Sequence, residues 1–83
     1  MKPLTAREVE RYLRAAGYMH SRTEGSHHVW TNSVTGHAVA VPHHGNRPLK
    51  QGTLISIFNA CGIENRGDEN LTYNRLLQQR GDD

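Results

Sequence analysis

Residues 26–41 read Ser26-His-His-Val-Trp-Thr-Asn-Ser-Val-Thr-Gly-His-Ala-Val-Ala-Val41, and the fold turns on this stretch. His27-His-Val-Trp-Thr31 and His37-Ala-Val-Ala-Val41 are rich in β-branched, aromatic and small apolar residues, while Asn32-Ser-Val-Thr-Gly36 between them is turn chemistry. The spacing predicts a hairpin whose second strand stops at Pro42. Upstream, Tyr18-Met-His-Ser-Arg-Thr23 lies between Gly17 and Gly25 and supplies one more strand. Strand alternation puts Ser26, His28 and Trp30 on one face, and His27, Val29 and Thr31 on the other. Val39 and Val41 are the expected buried pair of the last strand.

Helical periodicity appears on both sides of this β region. Thr5-Ala-Arg-Glu8 has the spacing of a capping box, with Leu4 and Val9 placed as a hydrophobic staple. Val9, Tyr12, Leu13 and Ala16 then recur at i, i+3, i+4 and i+7, and Gly17 ends the stripe. Leu54, Ile57, Phe58 and Cys61 repeat that pattern, with Gly62 as terminator and Ile63 set to close back on Phe58. The expected order is α-β-β-β-α. This is an α+β fold: a three-stranded antiparallel sheet with two helices on one face and the other face open to a partner. Residues 1–63 form the domain, and residues 64–83 form a polar tail with one short helix around Leu71–Leu77.

Eighty-three residues bury only about 60% of their unfolded surface, which leaves no room for an enclosed cofactor pocket, and no cofactor is expected. No apolar run reaches the ~18–20 residues of a membrane span. The opening Met1–Tyr12 has no signal-peptide core, and the one cysteine, Cys61, forms no internal disulfide. The expectation is a cytoplasmic protein without membrane contact. Residues 1–63 carry seven Lys/Arg against three Glu, whereas residues 64–83 carry three Arg against five acids. A basic body suits a polyanion.

Six histidines, four in the adjacent pairs His27/His28 and His43/His44, are the chemically distinctive feature. Neighbouring strand residues point to opposite faces, and no Asp or Glu is near either pair in sequence, so no metal site is expected. Ser26 has no nucleophile elbow around it, and Lys50-Gln-Gly-Thr53 lacks P-loop spacing. What remains is an exposed imidazole, His27, beside basic residues. Imidazole exchanges protons near neutral pH, and RNA brings its own nucleophile in the 2′-hydroxyl. Arg22, Arg47 and Lys50 are the candidate phosphate contacts.

The run Gly17-Tyr18, Arg22-Thr-Glu-Gly-Ser-His-His-Val-Trp30, Val39-Ala-Val-Pro-His-His44 and Leu49-Lys-Gln-Gly-Thr-Leu54 through Ala60-Cys-Gly-Ile63 resembles the HicA family of toxin ribonucleases. The resemblance spans about residues 4–63. It implies a double-stranded-RNA-binding-like fold, metal-independent cleavage of messenger RNA, and neutralisation by a HicB-like antitoxin. It further implies that the histidine directly after Gly-Ser, His27, is catalytic. His44 matches the family's Val-Pro-x-His position, and His44, His28 and Ser26 are the candidate assisting residues. Glu24 departs from the basic or neutral residue often found just before that block. The competing reading is a non-catalytic RNA-binding module of the same fold.

Overall fold

The computed structural model describes residues 2–63, so the expected tail helix lies outside the described residues. The elements are α1 (Ala6–Ala15), β1 (Tyr18–Glu24), β2 (His27–Asn32), β3 (Ala38–Pro42) and α2 (Gln51–Ala60). The strands form one antiparallel sheet in the order β1-β2-β3. The α+β order expected from the sequence is the one observed.

The capping box is complete. The Glu8 N–H donates to Thr5 Oγ1 at 3.3 Å, and the Thr5 N–H donates to Glu8 Oε1 at 2.9 Å. The Thr5 amide holds the Glu8 carboxyl below its ordinary value of 4.5, against a smaller upward push from burial. At the far end of α2, Ile63 N–H reaches Phe58 C=O at 2.9 Å and Gly62 N–H reaches Asn59 C=O at 3.2 Å. That pair of bonds is a Schellman closure, and it requires the positive φ of +69° that Gly62 adopts.

Leu4, Val9, Leu13, Trp30, Val41, Leu54 and Phe58 belong to one buried cluster between the helices and the sheet. Tyr12 of α1 meets Phe58 of α2 with ring centroids 5.2 Å apart. Leu49 N–H donates to Leu4 C=O at 2.8 Å, which ties together the segments entering the two helices. Val29 is also buried, yet it stands outside that cluster, on the sheet face away from the helices.

Three local expectations are corrected. Ser26 does not face inward with His28 and Trp30; it is exposed in the turn joining β1 to β2, which closes on Gly25 at φ +59°. β3 begins at Ala38 rather than His37 and includes Pro42, which pairs with His27. An edge strand tolerates a residue without an N–H, and the ladder continues past it as His43 N–H donates to Ser26 C=O at 2.7 Å. Third, Val39 is only half-buried where Val41 is fully buried, and β1 contains a bulge between His20 and Arg22. The extra residue, Ser21, donates its hydroxyl proton to the Val29 carbonyl and accepts from the Thr31 hydroxyl, each at 3.0 Å.

Candidate nucleic-acid interface and histidine cluster

The bulge sorts the polar residues of β1 onto two faces. Before it, His20 lies opposite Trp30; after it, Arg22 lies opposite Val29 and Glu24 opposite His27. Directly paired residues share a face, so Arg22, Glu24 and His27 line the open side while His20 stays on the helix side. His27 is exposed there, as alternation predicts. Arg22 is not a free cation: its Nε donates to Glu24 Oε1 at 2.7 Å, with both side chains more than 60% exposed. The acid noted before Gly-Ser-His therefore acts mainly on Arg22, and such an exposed pair adds little stability.

Arg47 and Lys50 are brought together with His44. All three line a groove of about 550 Å³ whose other walls are Pro42, Pro48, Leu49 and Thr53. The groove lies at the start of α2, where Lys50 occupies the N-cap position without a side-chain capping bond. First-turn N–H groups carry partial positive charge, so they add to the two cations in attracting phosphate. Pro42 connects the groove to the open face, since it is the cross-strand neighbour of His27.

The second histidine of the first pair has a different setting. His28 is half-buried, and its Nδ1 lies 3.0 Å from Glu10 Oε2. The same oxygen accepts a 2.5 Å hydrogen bond from the indole Nε1–H of Trp30. His43 brings Nε2 to 3.1 Å from Glu10 Oε1, but the approach is too oblique for a hydrogen bond, and that buried nitrogen has no aligned partner. The His28 and His43 rings stack 3.7 Å apart at 29°, and His20 lies against the other neighbours at 4.8 Å from His28 and 5.8 Å from Trp30. The Arg14 guanidinium covers Trp30 at 5.3 Å. Burial pushes the Glu10 carboxyl up, but the Trp30 hydrogen bond and the contacts with His43 and His28 outweigh it and hold it below 4.5.

Glu10 is the residue that sequence reasoning missed. It lies eighteen positions from His28 in the chain, and local spacing carries no trace of the contact. The signal was present only as a polar position on α1 one residue from Val9, next to the apolar stripe that packs on the sheet.

Residues 6–63 match the model of a family described as the HicA toxin of bacterial toxin-antitoxin systems. The chain belongs to the HicA toxin family. The match covers every described helix and strand, and the α-β-β-β-α order is consistent with a double-stranded-RNA-binding-like fold. HicA toxins are generally ribonucleases and are paired with an antitoxin. A search of curated proteins returns no match to this chain. Among the described residues no helix is long and apolar enough to cross a membrane. In this HicA-family chain the Gly-Ser-His-His block thus divides between two environments: His27 on the open face, and His28 within the carboxylate-anchored cluster.

Proposed function

We propose that this HicA-family protein is a messenger-RNA endoribonuclease in which His27 transfers the proton and the groove of Arg47, Lys50 and His44 holds the phosphate backbone. The observation that carries the reading is the register of β2 with β3. His27 pairs with Pro42, a wall of the basic groove, so a strand whose phosphates lie along Arg47 and Lys50 passes beside an exposed imidazole. Arg22, neutralised by Glu24, has the smaller part. Ser26 borders the site from the turn, and its carbonyl anchors the loop that bears His44.

The chemistry needs no group beyond RNA and these side chains. His27 takes the 2′-hydroxyl proton, and the 2′-oxygen attacks the adjacent phosphorus. The phosphorus–5′-oxygen bond then breaks, and the departing oxygen takes a proton from the solvent or from a protonated imidazole such as His44. The products are a 2′,3′-cyclic phosphate and a 5′-hydroxyl. The positive groove offsets charge growing on the phosphate oxygens. A HicB-like antitoxin would inhibit by covering the open face around His27, which the helices leave free.

One observation favours a second reading. Glu10 holds His28 through Nδ1, and a carboxylate that fixes one ring nitrogen orients the other for proton transfer. In that reading His28 is the base and His27 a phosphate contact. The non-catalytic RNA-binding alternative makes a third, distinct prediction. Incubation of labelled RNA in EDTA with the wild-type, His27→Ala and His28→Ala proteins separates these outcomes, since the base is the histidine whose loss abolishes cleavage in a folded protein. Cleavage with cyclic-phosphate ends, abolished by a single 2′-deoxy substitution at the cut, supports the proposal. Binding without cleavage makes the protein a non-catalytic module, and loss of cleavage in EDTA at unchanged Tm, with recovery on adding a divalent ion, refutes the metal-free mechanism.

A further inference from the structure

We propose that Glu10, His28 and His43 form a three-ligand site for a zinc-class divalent cation, one that ties α1 to the sheet and takes no part in cleavage at His27. Among the described residues this is the one set of three such groups whose ligand atoms converge, all within 4.8 Å of one another. The ligands come from α1, from β2 and from the residue after β3, so an ion here would join segments that are remote in the chain.

Four observations point to a cation. The His43 Nε2 is buried without an aligned hydrogen bond, although it lies 3.1 Å from the carboxylate that His28 also meets. Secondly, the separations are close to what a metal requires. Tetrahedral zinc with bonds of ~2.0–2.1 Å has ligand atoms about 3.3 Å apart; His28 Nδ1 lies 3.0 Å from Glu10 Oε2, His43 Nε2 lies 3.1 Å from Glu10 Oε1, and one oxygen serves both after a small turn of the carboxylate. Thirdly, Trp30 Nε1–H donates to Glu10 Oε2, the oxygen that His28 also meets, and so fixes the carboxylate with the kind of outer hydrogen bond that ligating carboxylates characteristically have. Lastly, the donor set is two imidazole nitrogens and one carboxylate, which suits zinc, cobalt or nickel; magnesium and calcium prefer oxygen alone.

Access and geometry set the remaining terms. His28 is 30% exposed, so an ion can enter from that side and keep a water as fourth ligand. The stacked rings must open from 3.7 Å, because lone pairs in nearly parallel ring planes run side by side rather than meeting. That adjustment falls on the loop carrying His43 and leaves β2 in register.

The test uses the full metal-free chain and zinc chloride alone, read by titration calorimetry and by thermal melting without RNA. The expected result is one zinc per chain and a rise in Tm that magnesium does not produce. Glu10→Gln and His43→Ala should each weaken binding by about tenfold or more, whereas His44→Ala should leave it unchanged. Absence of saturable binding, or binding that persists unchanged in His43→Ala, overturns the proposal. Should the variants fail to fold, cobalt bound to the wild-type chain gives a second reading. Paramagnetic broadening of the His28 and His43 ring protons supports the site, and broadening confined to His27, His37 or His44 refutes it. Because zinc is measured without RNA, failure here leaves the ribonuclease reading standing, and failure of cleavage leaves the metal site standing.

Discussion

Removing the Glu10 side chain is the sharpest test of how the helix face is built. In metal-free protein at neutral pH, Glu10→Ala deprives Trp30 Nε1 and His28 Nδ1 of their acceptor. Trp30 is 2% exposed, so its N–H does not regain water, and a buried donor left unsatisfied costs ~1–3 kcal/mol. His28 is 30% exposed and rehydrates in part, so its loss is discounted to roughly half of a charged hydrogen bond, about 1 kcal/mol. The sum is about 2–4 kcal/mol. For a domain this small, ~4–8 °C of Tm per kcal/mol translates this into a fall of about 10–30 °C. Thermal and urea unfolding followed by far-UV circular dichroism, and by the fluorescence of the single Trp30, measures it directly. Glu10→Gln, which keeps an acceptor oxygen, should lose clearly less. A Glu10→Ala protein within ~0.5 kcal/mol of wild type, the range of an ordinary surface substitution, would show that the carboxylate does not organise these residues.

Other outcomes follow from the same geometry. If Arg47 and Lys50 each hold a phosphate, RNA affinity should fall with log salt by ~0.7 per contact; Arg47→Ala and Lys50→Ala should each remove about one contact's slope, and Arg22→Ala, already paired with Glu24, should remove less. At alkaline pH, burial pushes the Tyr18 hydroxyl up to about 12 and raises the Cys61 thiol above 9.0. Groups raised on folding stabilise the protein fully below their unfolded values and lose that contribution as pH climbs. Unfolding free energy should therefore decline from about pH 9 to about 12, and Tyr18→Phe should flatten the upper part of that slope. Thr5→Ala removes the cap of α1 and should cost about 1 kcal/mol in urea denaturation.

Local chemistry made most of the architecture legible. The Thr5–Glu8 box, the Gly62–Ile63 closure and the alternation about Trp30 each follow from a few adjacent residues, and each is observed. The bulge at Ser21 was not legible, because nothing in Tyr18–Glu24 marks the extra residue; it shows only when β1 pairs with β2. Its effect reaches the candidate site, since it decides that Arg22 and Glu24, rather than His20, share a face with His27. Glu10 was hidden for a related reason. A polar side chain on a helix reads as solvated until the sheet beneath it is known to bear histidines and an indole N–H. The exposure of His27 was readable from period-two alternation, whereas its connection through Pro42 to Arg47 and Lys50 needed the strand register.

The central claim rests on His27, and the most direct measurement is single-turnover cleavage of labelled RNA in EDTA by wild type and His27→Ala at matched, saturating protein. His27 is exposed on the open face, so its removal should leave Tm nearly unchanged. The cleavage rate should fall by the ~10²–10⁴-fold that a positioned proton-transfer group contributes, with RNA affinity largely retained. His28→Ala, measured alongside, should lose stability first because it breaks the contact with Glu10. A folded His27→Ala protein that cleaves at the wild-type rate would contradict the account, and a folded His28→Ala protein that alone loses cleavage would move the catalytic role to the carboxylate-held imidazole.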